Sequence, residues 1–187
     1  MTLIQSIPIL VALAIYALRL IEIRTKRNTI SGKISANYTL MLFMAVGTIA
    51  FVGSIAEYFW HGKVWSWQWL LVGIMCAVLS FWIRLQAIAA LGKFWSLHAE
   101  IRENHEFVRT GPFRWMRHPV YFSMILELAA LCLVLSAFWT LLVVIVLFIP
   151  SLLLRLKVEE AALVDKFGDT YRDYRRQVWA IIPWFPR

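Results

Sequence analysis

Long apolar runs constrain this chain more than any other feature. Leu3 to Ile23, Tyr38 to Trp60 and Trp67 to Leu91 are predominantly apolar. Each reaches the length of about 20 residues that a helix needs to cross a hydrocarbon layer. A further stretch, Val120 to about Leu156, is too long for one helix and too short for two widely spaced ones. Ser136-Ala137-Phe138 near its middle predicts a tight hairpin of two helices, with Pro150 kinking the second. The expectation is an all-α integral membrane protein with about five transmembrane helices. Hydrophobic residues make up 61% of the chain and charged residues 16%. That balance excludes a disordered chain, and a water-soluble core of this size could not hide so much apolar surface. The 187 residues allow a single membrane-embedded domain, residues 1–187, with no room for a separate soluble enzyme module. The first run is read as a retained helix: no Lys or Arg precedes it and no small-residue cleavage site follows before Arg24.

The cations orient the spans. Nineteen Lys and Arg against eleven Asp and Glu leave a net charge of +8. They cluster beside apolar runs, which fits an anionic leaflet and not a nucleic acid. Arg24, Lys26, Arg27 and Lys33 follow the first run. Lys93, Arg102, Arg109, Arg114 and Arg117 fill the segment before span four, and Lys157, Lys166, Arg172, Arg175, Arg176 and Arg187 lie at or beyond the end of span five. Only Lys63 falls on the other side. The positive-inside rule then places the N-terminus outside and the C-terminus in the cytoplasm. Trp60, Trp65, Trp67 and Trp69 form an interfacial belt. Cys76 and Cys132 lie in apolar stretches and read as small buried hydrophobes rather than a disulfide framework. No Cys/His spacing calls for a metal.

Polar residues in such a chain carry its chemistry. They concentrate in the segment ending at Arg117-His118-Pro119-Val120-Tyr121 and in the segment from Arg155 to Tyr174. Pro119 suits the first position of a helix, so His118 flanks the start of span four. The N–H groups and positive dipole end of that helix favour an anion, a carboxylate or a phosphate; alternatively Arg117 and His118 are simple interfacial cations. Arg155 and Glu159 are four apart on one helical face, either an ordinary ion pair or part of a site at the bilayer boundary. Lys157 lies off that face and reads as a snorkelling anchor. Glu57 reaches an interface, and Glu127, deeper in span four, must pair or line a cavity. Spans one and two carry no chemistry and read as scaffold or lipid-facing wall.

With these residues in view, the chain resembles the isoprenylcysteine carboxyl methyltransferase family in its short prokaryotic form, which is related to phospholipid methyltransferases. The resemblance rests on Asn104-His105-Glu106-Phe107-Val108-Arg109-Thr110-Gly111-Pro112-Phe113, then Arg117-His118-Pro119-Val120-Tyr121. Arg155, Glu159-Glu160, Leu163, Phe167-Gly168, Tyr171, Tyr174 and Ile182-Pro183 follow at the family's spacing. It covers about His98 to Pro183. It implies a methyltransferase dependent on S-adenosyl-L-methionine, yielding S-adenosyl-L-homocysteine, without a nucleotide-binding Gly-rich motif; none is present. It also implies a cytoplasmic cofactor pocket built from the loop before span four and closed by the C-terminal tail. Cofactor contacts carried onto this chain are His98, His105, Glu106, Phe107, Val108, Phe113, His118, Pro119, Val120, Tyr121 and Glu159. Arg155 would face the substrate, and with Glu159 would be catalytic. Phe113 stands where the family often has Tyr, and Val120 replaces a small or polar residue. The larger eukaryotic members carry extra N-terminal spans. Residues 1–91 would then be a three-span scaffold and 92–187 the cofactor- and substrate-binding half.

The chemistry is coherent with this resemblance. Methyl transfer from a sulfonium is an in-line displacement in which alignment supplies much of the rate. A carboxylate acceptor is already ionised at pH 7 and needs no general base. It needs a cation to hold it, and Arg155 can grip one oxygen while leaving the other free. His118 at the helix start would take the cofactor's methionine carboxylate, and Glu159 its hydroxyls or ammonium. Phe107, Phe113, Trp115 and Tyr121 can cover the adenine and shield the sulfonium. The partners expected are membrane lipids and a lipophilic or lipidated acceptor, with no nucleic acid and no metal. Phospholipid-type N-methylation, a nicotinamide-dependent membrane reductase and a non-enzymatic membrane protein stay open as alternatives.

Overall fold

A computed structural model describes residues 2–25, 33–35, 37–92, 99–101 and 108–182 of the chain. Six α-helices order the described residues: α1 (Leu3–Arg24), α2 (Asn37–Trp60), α3 (Trp67–Leu91), α4 (Pro119–Val134), α5 (Phe138–Phe167) and α6 (Asp169–Gln177). Two short strands, β1 (Lys33–Ser35) and β2 (Ala99–Ile101), pair antiparallel with Lys33 opposite Ile101. They tie the α1–α2 connection to the polar segment before α4, which the sequence reading treated as separate loops. A 3-10 turn, Gly111–Arg114, precedes α4.

The apolar runs place the first three helices to within a residue or two. α1 opens on a capping box: Gln5 N–H donates to Thr2 Oγ1 at 3.4 Å and Thr2 N–H donates to Gln5 Oε1 at 3.0 Å. Two reciprocal bonds thus satisfy orphan donors of the first turn. α1, Met41–Trp60 of α2, α3 and α5 are long and apolar enough to cross a membrane. α4 has 16 residues, roughly 24 Å at helical rise, short of a hydrocarbon layer of about 30 Å. Four helices therefore meet the length that the sequence reading assigned to five. α4 has no exposed residue along its length, so it serves as the short, central arm of the expected hairpin. The hairpin turn is Leu135-Ser136-Ala137, with Ser136 at φ 54° and Ala137 N–H donating to Cys132 O at 2.9 Å. Ser136 Oγ accepts from Ser66 N–H at 3.3 Å. The turn thus reaches the end of the molecule where α3 begins.

The hairpin is fastened there by Glu57. Ala137 precedes α5 and has no side chain that can cap it. Glu57 of α2 supplies the cap instead. Its Oε1 accepts from Trp139 N–H at 3.1 Å, and its Oε2 accepts from Thr140 N–H and Thr140 Oγ1, both at 2.7 Å. A carboxylate on the N–H groups of a first turn also complements the helix dipole. Glu57→Ala is expected to remove about 1–2 kcal/mol from the helix start. A lower melting midpoint in detergent, largely recovered by Glu57→Gln, checks this.

α3 and α4 pack backbone to side chain. A Cβ on Gly73 would meet Val134 Cγ1 at 2.6 Å and Val134 N at 2.9 Å, so only glycine lets the helices approach this closely. Nearer the other end, four charges from three helices meet inside the bundle. Arg84 of α3 is 1% exposed. It donates from Nη1 to Glu22 Oε2 of α1 at 3.1 Å, and from Nη2 to Ser80 Oγ at 2.7 Å and to Glu127 Oε2 of α4. Arg19 of α1 lies 3.2 Å from Glu22 and 3.9 Å from Glu127. Glu127 is therefore paired, as its depth required, and α1 is more than a lipid-facing wall. Both cysteines are free thiols. Among the described residues no group of His, Cys, Asp and Glu is arranged to hold a metal.

α5 is the element the apolar pattern understated. The pattern ends near Leu156, whereas the helix runs on to Phe167. Gly168, at φ 55°, is in the left-handed region that glycine enters without strain, and turns the chain directly into α6. The polar extension of α5 carries Glu159 and Glu160 to the start of α4, where they meet Tyr121 and His118.

Candidate active site

Pro119 opens α4 with His118 as the preceding cap residue, which presents His118 and Tyr121 on successive turns. Arg155 and Glu159 occupy one face of α5, as their spacing of four requires. The two faces meet. Tyr121 OH accepts from Arg155 Nε at 2.7 Å and donates to Glu159 Oε1, and Arg155 Nε also lies 3.2 Å from Glu159 Oε1. Arg155 is 4% exposed. Phe43 of α2 closes this corner: the Arg155 guanidinium carbon is 5.4 Å from the Phe43 ring centroid and 5.8 Å from that of Tyr121. The Phe43 and Tyr121 rings meet edge to face at 6.0 Å. A guanidinium between two aromatic rings keeps its charge in an apolar setting. Counted from the start of α5, Arg155 stands roughly 26 Å along the helix axis, close to the full thickness of a hydrocarbon layer of about 30 Å.

His118 lies between two carboxylates. Its Nε2 is 3.3 Å from Glu160 Oε1 and its Nδ1 is 3.7 Å from Glu159 Oε2. Its ring stacks on Tyr121 with 5.4 Å between centroids and a 9° interplanar angle. Glu160 is the hub of a second set. It accepts from Arg117 Nε at 2.9 Å and Nη2 at 2.7 Å, and lies 3.2 Å from Arg175 Nε. Arg117 also donates from Nη1 to Arg175 O at 3.0 Å and to Val178 O. Those carbonyls end α6, and the chain beyond runs back along the segment before α4. Arg117 N–H donates to Trp179 O at 2.8 Å and His118 N–H donates to Ala180 O at 2.9 Å. The loop before α4 and the C-terminal tail are thus stitched together beside Glu160.

Further pins hold α6. Tyr174 OH donates to Phe113 O at 2.6 Å, and Arg109 Nη2 donates to Thr170 O at 2.9 Å. Burial pushes the Tyr174 hydroxyl up to about 12, so it stays a donor at physiological pH. Burial, with the charge of Glu160, pushes Tyr171 up as well. Tyr174→Phe is expected to cost about 1 kcal/mol, the net worth of one such bond, read as a lower melting midpoint and faster tryptic cleavage after Arg175.

The structure thus gathers His118, Pro119, Tyr121, Arg155 and Glu159, with Val120 on the half-buried side of the same turn. Phe113 and Val108 are half-buried, and Phe113 meets α6 through its carbonyl oxygen. His98, His105, Glu106 and Phe107 lie outside the described residues. Sequence reasoning missed Phe43, because one phenylalanine in an apolar span carries no signal. It also passed over Arg84, Arg19 and Glu22. Charges inside apolar runs require partners, and two cations with two anions at similar depths were a usable signal. A cavity of about 490 Å³ at the opposite end of the bundle is lined by Glu57, His61, Trp65, Trp69, Ser136 and Trp139 among others. It contains none of the expected site residues.

Comparison with known proteins identifies the family. Residues 71–165, half of the chain, match the model of the isoprenylcysteine carboxyl methyltransferase (ICMT) family. The chain is 25% identical over 149 residues to the protein-S-isoprenylcysteine O-methyltransferase of Dictyostelium discoideum, covering 72% of this chain and 58% of that protein. It is 28% identical over 122 residues to the protein-S-isoprenylcysteine O-methyltransferase of Schizosaccharomyces pombe, covering 64% and 51%. The match thus spans little more than half the length of these two relatives. The uncharacterized protein YpbQ of Bacillus subtilis is 31% identical over 131 residues, covering 70% of this chain and 76% of that protein. With a matched region running from α3 through the Arg155–Glu159–Glu160 segment of α5, this multi-pass membrane protein belongs to the isoprenylcysteine carboxyl methyltransferase family.

Proposed function

We propose that this chain is an integral-membrane methyltransferase that uses S-adenosyl-L-methionine to methylate a carboxylate on a lipophilic, isoprenylcysteine-like acceptor. The observation that carries this reading is Arg155, a buried guanidinium hydrogen-bonded to Tyr121 and Glu159 on a helix long and apolar enough to cross a membrane. Family membership supports the reaction class. The residues present fit the cofactor: Glu159 and Glu160 flank one side of a stacked His118–Tyr121 pair. Carboxylates and aromatic faces suit a sulfonium and an ammonium. This refines the sequence expectation for His118, since a methionine carboxylate fits less well beside two anions. Bound there, the sulfonium supplies an activated methyl group.

The chain's own residues do the rest. Arg155 holds the acceptor carboxylate by one oxygen and leaves the second exposed for attack. Tyr121 and Glu159 fix the guanidinium from behind, so its position does not depend on the acceptor. The acceptor is ionised at neutral pH, so no base is required. Phe43 and Tyr121 give the acceptor's hydrocarbon an apolar wall and limit water. Residues 92–187 form the reactive half on this reading, with Phe43 contributed by the scaffold half, and the site faces the cytoplasm with the N-terminus outside.

The test is incubation of the purified chain, in lipid nanodiscs, with methyl-labelled S-adenosylmethionine, a farnesylated cysteine bearing a free carboxyl, and phosphatidylethanolamine. Label released from the prenylcysteine by mild base, as from an ester, is expected. Base-stable label on the lipid amine would replace this reading with the N-methyltransferase one.

A further inference from the structure

We propose that Arg84 is a positioning residue for the first turn of α4, acting through Glu127 and a Ser80–Ser123 relay. The proposal rests on the reading of His118 to Tyr121 as part of the cofactor site. The four charges Arg19, Glu22, Arg84 and Glu127 sum to zero, so the cluster carries no net charge to draw an ionic ligand. Burying them is costly in a bilayer, and an apolar pair would join α3 to α4 at less expense. Apolar contact is non-directional, however, and admits more than one register. A guanidinium bonded to three acceptors admits one.

The bonds lead from Arg84 to the site. Arg84 Nη2 donates to Ser80 Oγ at 2.7 Å, Ser80 Oγ donates to Ser123 O at 2.7 Å, and Ser123 Oγ donates to Val120 O at 2.7 Å. Arg84 Nη2 also holds Glu127, six residues along the same helix from Tyr121. Arg84 Nε is fully buried and has no hydrogen-bond partner among the described residues, so the placement serves the two Nη atoms. A slip of α4 by one turn would move Tyr121 by about 5.4 Å along the axis. That would break its 2.7 Å bond from Arg155.

Calorimetric titration of the full chain in nanodiscs with S-adenosylhomocysteine, beside a thermal melt of each variant, tests the proposal. Ser123→Ala keeps the helix and the charges and removes only the hydroxyl on Val120 O. It is expected to weaken binding about three- to tenfold with the melting midpoint unchanged. Arg84→Gln leaves Glu127 short of its partner and is expected to lower both the midpoint and the affinity. The double variant Arg84→Gln/Glu127→Gln is expected to regain the midpoint but not the affinity, which a purely structural role would restore together. Wild-type affinity in both Ser123→Ala and the double variant overturns the proposal. Absence of binding by the wild-type protein overturns the methyltransferase reading on which it rests.

Discussion

Arg155→Ala is expected to lower methyl transfer by about two to three orders of magnitude while leaving S-adenosylhomocysteine affinity within about threefold. The reason is the division of labour around the guanidinium. Its Nε is spent on Tyr121 and Glu159, which fixes its plane, and the reading assigns the acceptor carboxylate to the same group. Removing it leaves the carboxylate without a counter-charge in an apolar corner walled by Phe43 and Tyr121, where an interaction lost is worth far more than in water. Arg155→Lys keeps the charge but not the planar fork, and should retain more activity than Ala without restoring the wild-type rate. Initial rates with the prenylcysteine acceptor, paired with calorimetry, separate the two quantities. A parallel loss of affinity and rate in Arg155→Ala would place Arg155 in the cofactor site instead.

The second large effect is expected at Arg117. Its guanidinium makes two bonds to Glu160 and two to the carbonyls that end α6, with its side chain 10% exposed. Arg117→Ala leaves a carboxylate buried beside His118 and releases the tail, and one broken partner of a buried pair costs about 3–5 kcal/mol. Arg175 contacts the same Glu160 with a side chain 55% exposed, and an exposed pair is worth about 0–1 kcal/mol. Limited trypsinolysis after Arg176, a site present in both variants, should therefore accelerate at least about tenfold in Arg117→Ala and little in Arg175→Ala. Loss of S-adenosylhomocysteine binding should accompany the first and not the second. Equal behaviour of the two variants would mean that the tail is held by its backbone bonds alone.

The parts of this structure legible in the sequence are those set by local rules. The ends of α1, α2 and α3 follow from where apolar residues stop, and the Leu135–Ala137 turn from an apolar stretch too long for one helix. The Arg155–Glu159 face follows from helical spacing. The illegible parts depend on contacts between distant segments. Glu160 is adjacent to Glu159, yet it turns to Arg117 from across the loop before α4 and to Arg175 on α6, and no spacing rule relates those three. Arg84 sits in a run hydrophobic enough to pass as an ordinary span, and its meaning appears only when α1 and α4 bring Glu22 and Glu127 to it. α4 reads as a spanning helix by composition. That it is a short central arm follows from its burial among α1, α2, α3 and α5, which composition does not record.

The most direct test of the account is calorimetric titration of the full chain in nanodiscs with S-adenosylhomocysteine, with NADPH as the control ligand and Glu159→Ala as the control protein. Glu159 accepts from Tyr121 and Arg155 and faces His118, so its removal takes an anion from the centre of the site. Micromolar binding of S-adenosylhomocysteine, abolished or weakened at least about tenfold in Glu159→Ala, with no heat from NADPH, is the predicted result. Binding of NADPH without binding of S-adenosylhomocysteine would contradict the account and favour a membrane reductase on the same scaffold.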